Sequence, residues 1–178
     1  MAITIGNEAY CANLNAGGSN QATYIYLGNG ASGAGTVNVI KVYPNSNISG
    51  LKVGTFHLDS GTTYHNLASH ASEDTLAATS GACRTLSGDG VDFTSFPTDA
   101  GEFIGSNEDT GALERNTSGG SGIAYDYDNG QADFGAAVSY DVASYADDQL
   151  ALYASGTEPV TDLSIHQSEC VGTLGNLS

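Results

Sequence analysis

The sequence predicts an all-β fold, either an antiparallel β-sandwich or a barrel. Apolar and polar residues alternate over many short segments, which is the pattern of strands with one buried face. Turn-forming stretches such as GNGASGAG, SGDG and TSGGSG separate these segments, and the chain has 24 Gly but only 3 Pro. No window has a convincing helical period, so helices are not expected.

The predicted strands follow one another at short intervals along the chain. In order they are residues 22–27, 36–43, 51–58, 62–67, 82–86, 102–104, 112–114, 122–127 and 149–154. The stretch PNSNISG at 44–50 is predicted to be a turn, because Pro, Asn, Ser and Gly favour turns. Such closely spaced strands fold into two packed sheets or a closed barrel.

Two of these strands carry further information. In TVNVIKVY at 36–43, strict alternation places Val37 and Val39 on one face and Ile40 and Val42 on the other, so both faces are partly apolar and the strand is predicted to be central. In LKVGTFHL at 51–58, Gly54 indicates a bulge or a close contact. We expect His57 to be a residue of the sheet surface.

Length and composition fit a single domain. A chain of 178 residues with 40% hydrophobic content can bury one core. We expect a β-sandwich domain at 1–156 and a polar C-terminal extension at 157–178. The start MAITIGNEAYC has neither the basic nor the apolar region of a signal peptide, and no apolar run is long enough for a membrane span. We therefore expect a soluble chain.

Charge is the strongest compositional signal. The chain has 20 Asp and Glu against 4 Lys and Arg, a net charge of -16. Such a surface repels phosphate backbones and anionic lipids, so nucleic acid and membranes are excluded as partners. At molar salt the Debye length is about 3 Å, which screens this repulsion. Adaptation to brine is the favoured interpretation, and an ordinary acidic secreted protein is the alternative.

The cysteines Cys11, Cys83 and Cys170 are widely spaced and odd in number. This excludes a CxxC motif and a dense disulfide framework. Three reduced, partly buried thiols are the favoured prediction, and one disulfide with one free thiol is the alternative.

Catalytic motifs are not found in the sequence. The four histidines, His57, His65, His70 and His166, match no HExxH spacing, and neither GxSxG nor a P-loop occurs. With 20 acidic residues, some carboxylate pair at a glycosidase spacing is always possible, but nothing singles one out. We expect no enzymatic activity and no organic cofactor.

A cation site is the best chemical candidate. The stretch YDYDNGQAD places Asp126, Asp128 and Asp133 close together around Gly130. Carboxylate oxygens suit Ca²⁺ or Mg²⁺, although Gly130 is one position too early for an EF-hand loop. Solvated loop acids are the favoured interpretation of these residues, and the cation site is the alternative.

Arg115 is one of few basic residues and follows Glu114 in a predicted strand. We expect the pair to act as a structural clamp, in which the guanidinium binds two of the nearby carboxylates Asp109, Asp126 and Asp128. The alternative is an arginine that binds a ligand.

Glycosylation is possible at three sequons. They begin at Asn47, Asn116 and Asn176, in predicted turns or in the C-terminal extension. Such triplets also arise by chance in a chain rich in Asn, Ser and Thr.

Several motifs of this chain recur together in a known family. They are IGNEA near the start, NVIKVYPNSNISGLKVGTF, AGEFIG, the ALER strand with its Gly/Ser turn and GIAYDY, and LALYASG near the end. On these motifs, residues 3–156 resemble small jelly-roll-like β-sandwich domains on the virions of tailed viruses, including, given the acidity, viruses of halophilic archaea. The matching positions are Gly50, Val53, Gly54, Phe56, Gly101, Gly105, Glu114, Arg115, Ser118, Gly119, Gly122, Ile123 and Tyr125. Where such domains often carry Trp, this chain has Tyr43 and Ala124, and residues 157–178 have no counterpart.

The resemblance implies a non-enzymatic structural protein on the virion surface, as a capsid decoration, turret or fibre component. Its expected partners are other virion proteins and further copies of itself, with the extension at 157–178 exchanged between subunits. The alternative is a carbohydrate-binding or adhesin module that attaches to a host glycan, because the chain has ten Tyr and loops rich in Asn and Asp.

Overall fold

The structure, a computed structural model, describes residues 1–8, 16–17, 22–72, 76–126, 134–140 and 145–159. Within these residues it has fifteen strands and one 3₁₀ helix, Ala68–His70. The strands are β1 Ala2–Gly6, β2 Ala16–Gly17, β3 Thr23–Tyr26, β4 Gly35–Val42, β5 Pro44–Ser60, β6 Thr63–His65, β7 Leu76–Ala78, β8 Arg84–Ser87, β9 Phe96–Thr98, β10 Phe103–Asn107, β11 Thr110–Asn116, β12 Ile123–Asp126, β13 Ala137–Ser139, β14 Gln149–Leu150 and β15 Leu152–Thr157.

The strands form two antiparallel sheets, which confirms the predicted all-β sandwich. The smaller sheet has the order β1-β15-β4-β8, with β9 also paired to β4. The larger sheet has the order β12-β3-β10-β5-β11-β14, and β2, β6, β7 and β13 extend it. Between the sheets lies the main core, to which both contribute side chains such as Ile5, Ile40, Val53, Ile104 and Leu152.

A second, smaller core covers the outer face of the larger sheet. Ile25, Phe56 and Ala124 on that face pack with Tyr64 of β6 and with Tyr140. The rings of Phe56, Tyr64 and Tyr140 meet edge to face. The larger sheet is therefore apolar on both faces, and Tyr64 of β6 and Tyr140 cover part of the outer face.

The predicted turn at 44–50 is wrong, because these residues belong to the long strand β5. Ile48 in this stretch is 4% exposed and packs in the main core, which holds the segment in the sheet. The register with β7 shifts between Ile48 and Leu51, and Gly50 there has a φ of 64°. The turn-forming residues thus build an irregularity within a strand.

Strand β4 is central, as predicted, since it lies between β15 and β8. The predicted assignment of its faces is wrong. The register with β15 skips Asn38, which is the extra residue of a β-bulge. This bulge moves Val37 to the same face as Ile40 and Val42, and all three are 0% exposed.

The first and last described strands pair with each other. Ala2 of β1 faces Thr157 of β15, and the amino terminus of Met1 forms an ion pair with Glu158 at 3.4 Å. The sandwich therefore reaches Thr157, close to the predicted boundary at residue 156. Residues 160–178, most of the predicted extension, lie outside the described residues.

Cys83 is disulfide-bonded and exposed, on the loop that precedes β8. The favoured prediction of three reduced, partly buried thiols is therefore wrong for this residue, which does not pack in a core. Cys11 and Cys170 lie outside the described residues.

In the described part of the chain, no helix has both the length and the apolar character needed to cross a bilayer.

Candidate functional site

Two groups of polar side chains stand out among the described residues, and most of their members are buried or half-buried. The Glu102 cluster consists of Thr55, His70, Thr98, Asp99 and Glu102. The Arg115 cluster consists of Tyr24, Arg115, Tyr125, Tyr145 and Asp148. The sequence predicted the second in part and the first not at all.

Glu102 lies in the turn that joins β9 to β10 and is 2% exposed. Its side chain folds back on that turn, because the amide of Asp99 donates to its Oε2 at 3.0 Å. The Glu102 amide donates in turn to the carbonyl of Asp99 at 3.2 Å. This reciprocal pair fixes the carboxylate within the turn.

Three side chains complete the hydrogen bonding of Glu102. The hydroxyl of Thr55 donates at 2.6 Å and that of Thr98 at 3.1 Å. His70 Nδ1 lies 3.1 and 3.0 Å from the two carboxylate oxygens. Since an ionised carboxylate can only accept, His70 must carry a proton on Nδ1.

The pKa of Glu102 is lowered overall. Burial alone raises it, but the Thr55 hydroxyl, the Asp99 amide and His70 together lower it by more. Glu102 is therefore a carboxylate at neutral pH, with donors from β5, β9 and the 3₁₀ helix pointing at it.

Asn66 holds the surroundings of this cluster in place. It is 0% exposed, and its Nδ2 donates to the carbonyls of Thr55 and His70 at 2.8 and 3.2 Å. A Cβ atom at Gly54 would lie 2.9 Å from Asn66 Nδ2 and from the His70 carbonyl oxygen. The predicted close contact at Gly54 is thus confirmed, because only glycine leaves room here.

His70, Asp99 and Glu102 bring possible metal-ligand atoms within 4.8 Å of one another. However, the Glu102 oxygens already accept from the two threonines, an amide and an imidazole. To bind an ion or to act as a base, the carboxylate would have to release some of these donors. The arrangement therefore suits a structural role, in which Glu102 joins β5, β9, β10 and the 3₁₀ helix.

Arg115 lies on β11, where its guanidinium carbon is 4.2 Å from the ring centre of Tyr145. Its Nε is 3.4 Å from Asp148 Oδ2, and neither atom makes a hydrogen bond within the described residues. The contact is thus an ion pair supported by stacking on an aromatic ring. Tyr125 and Tyr145 lie 4.5 Å apart by ring centres and connect this pair to Tyr24.

Asp148 was not among the predicted partners of Arg115. Of the predicted partners, Asp109 lies over Gly50, Asp126 is half-buried at the end of β12, and Asp128 lies outside the described residues. Burial raises the pKa of Asp148 more than the Arg115 charge lowers it, and Asp147 raises it further. Glu114, the other predicted clamp residue, is 6% exposed.

The predicted cation site is described only at Asp126, because Asp128 and Asp133 lie outside the described residues. It stays a prediction.

Among the sequons, Asn47 is exposed on strand β5, not in a turn as predicted, and its Oδ1 accepts from the Ser80 amide at 2.9 Å. Asn116 is half-buried at the end of β11, and Asn176 lies outside the described residues.

Comparison with protein-family models, with curated proteins and with solved structures finds no match to this chain.

Proposed function

We propose that this chain is a non-enzymatic structural protein of a virion surface, whose β-sandwich decorates or stabilises the particle as a capsid decoration, turret or fibre component. The Glu102 cluster is the observation that supports a role without catalysis. Its carboxylate and imidazole are buried and bonded to each other, so they connect strands and do not face a substrate.

The distribution of charge supports an exposed position on a particle in salt. Acidic residues such as Glu8, Asp59, Asp92 and Asp147 are exposed, whereas both lysines are half-buried and lie against aromatic rings. The disulfide at Cys83 also fits a protein that ends in oxidising surroundings. The place on a virion itself comes from the resemblance described above.

The proposal is tested by immunogold electron microscopy of particles released by the cells that produce this protein. Antibodies raised against the purified chain should label particle surfaces at regular positions. Preincubation of the antibodies with the purified chain is the control and should remove the label. Particles that stay unlabelled while the protein is found in another fraction would refute the virion location.

The high-salt environment has its own test. With a net charge of -16, the folded chain repels itself in dilute buffer, and salt screens this repulsion. The melting temperature should rise steadily from dilute buffer to molar NaCl. A melting temperature independent of NaCl would refute adaptation to brine and favour the alternative, an ordinary acidic secreted protein.

The alternative, a carbohydrate-binding module, has less support. None of the tyrosines that the structure describes is exposed, so those residues offer no open aromatic platform for a sugar ring. Tyr10 and Tyr127 lie outside the described residues. A glycan array with the purified chain decides between the two: selective binding of one sugar class would favour the module.

A further inference from the structure

Two histidines lie directly opposite each other in the hairpin that β5 and β6 form. The antiparallel register pairs His57 with His65. Side chains of directly opposed residues lie on the same face of a sheet, with Cβ atoms about 4.5–5.5 Å apart. Both imidazole rings can therefore reach one point above the hairpin.

The spacing suits chelation of a transition metal ion. Zinc binds imidazole nitrogens at about 2.0–2.1 Å in a tetrahedral arrangement, which places two such nitrogens about 3.4 Å apart. His57 is exposed and His65 half-buried. Among the described residues, neither ring has a hydrogen bond or an ion pair, so each has a nitrogen to offer without breaking a contact.

The surroundings leave room for an ion and add negative charge. On the other side of His65, strand β13 places Ala137, whose small side chain does not cover the imidazole. Asp59 is exposed and lies two residues after His57, where the register between β5 and β6 shifts. The net charge of -16 raises the local concentration of cations.

We propose that His57 and His65 form a surface binding site for a divalent transition metal ion such as Zn²⁺, with water completing the coordination. Imidazole ligands select zinc, copper or nickel over calcium and magnesium. The site thus differs in chemistry from the predicted carboxylate site at Asp126, Asp128 and Asp133. It differs from the Glu102 cluster because its ligands are accessible.

The test is calorimetric titration of Zn²⁺ into the full chain, stripped with EDTA, at pH 7.5. One equivalent should bind. His57→Gln and His65→Gln should each weaken the affinity at least about tenfold, and the double variant should abolish binding. Asp59→Asn removes only a negative charge near the histidines and should weaken the affinity less. His166→Gln, which removes the remaining histidine outside the Glu102 cluster, is the matched control and should bind as the unchanged chain does.

Three results would overturn the proposal. These are no zinc binding by the unchanged chain, full binding by the double variant, and loss of binding in the His166→Gln control. A loss of affinity in Asp59→Asn as large as in the histidine variants would overturn the assignment of the two imidazoles as the ligands. The His57, His65 and Asp59 variants should keep their melting temperature without zinc, because His57 and Asp59 are exposed and the ring of His65 makes no hydrogen bond or ion pair among the described residues. Binding should weaken at pH 5.5, since protonated imidazoles do not bind metal.

Discussion

Glu102 and Glu108 lie just outside opposite ends of strand β10 and are almost equally buried, at 2% and 1% exposed. Their carboxyl groups nevertheless titrate in opposite directions. The pKa of Glu102 is lowered, whereas burial raises the pKa of Glu108 to about 8. At neutral pH the first is a carboxylate and the second is mostly a neutral acid.

The number of donors explains the difference. Glu102 accepts from Thr55, Thr98, the Asp99 amide and His70. Glu108 accepts from Ser106 at 3.1 Å and from its own amide, and these bonds lower its pKa much less than burial raises it. Burial alone therefore does not set the state of an acid in this sandwich; the polar groups around it decide.

The largest expected effect is that of Glu102→Gln. The carbonyl oxygen of the new amide can keep the donors of Oε2, but its NH2 group would replace the other oxygen and face His70 Nδ1–H. The negative charge that these buried donors stabilise would also be lost. We expect the free energy of unfolding to fall by about 3–5 kcal/mol at pH 7, measured by urea denaturation. Glu8→Gln removes the same charge at an exposed position and should change stability by less than about 0.5 kcal/mol. Equal losses of stability in Glu102→Gln and Glu8→Gln would contradict a structural role for the buried Glu102 carboxylate.

Glu108→Gln, in contrast, should raise the free energy of unfolding near neutral pH. Because the folded pKa of about 8 exceeds the ordinary 4.5, Glu108 contributes stability that is complete below pH 4.5 and is lost as pH rises through 8. Between pH 5 and 7.5 this loss amounts to about 3 kcal/mol. The variant should lack this decline, so its advantage over the unchanged chain should grow with pH.

Parallel urea denaturation series at pH 5, 6, 7 and 7.5 measure this difference. Glu102 gives the contrasting profile. Its lowered pKa contributes stability above the ordinary 4.5 that is lost as pH falls through the folded value. A Glu108→Gln advantage that is independent of pH would contradict the assignment of a neutral acid to Glu108.

Variants of His70 test how much of the difference in pKa between Glu102 and Glu108 depends on one hydrogen-bond donor. His70→Ala removes the Nδ1–H that faces both Glu102 oxygens and should cost about 1.5–3 kcal/mol. His70→Asn places an amide nitrogen close to the former Nδ1 and should retain part of that stability. Urea denaturation at pH 7 compares the two variants. If Asn is no better than Ala, the imidazole matters for packing and not as a donor.

The sequence predicts much of the fold but little of the difference between the surroundings of Glu102 and Glu108. Strands such as β3, β4 and β12 alternate regularly or carry clear apolar faces, so local pattern is enough to find them. For β5, the sequence predicts a turn at 44–50 and a strand only at 51–58, because Gly50 and its neighbours resemble a turn. Short strands such as β9, which contains Pro97, lack enough residues to show a period.

The polar clusters depend on contacts between distant parts of the chain. Thr55 and His70 are 47 and 32 residues from Glu102, so no local pattern connects them. One local signal was available: Asp99 and Glu102 in TDAGE have the spacing of a turn closed by a side chain. Arg115 drew attention because bases are rare here, yet its partner Asp148 follows from the fold alone.

The smallest expected effects come from single hydroxyl donors, Thr55→Val for Glu102 and Ser106→Ala for Glu108. Each should cost about 1 kcal/mol at neutral pH. Their pH profiles should differ, because a hydrogen bond to a charged group is stronger than one to a neutral group. The Thr55→Val cost should grow as pH rises through the lowered pKa of Glu102 and stay constant above it. The Ser106→Ala cost should stay constant from pH 5 to 7 and grow only near pH 9. Urea denaturation across this range measures both, and identical profiles would mean that the two glutamates share one protonation state.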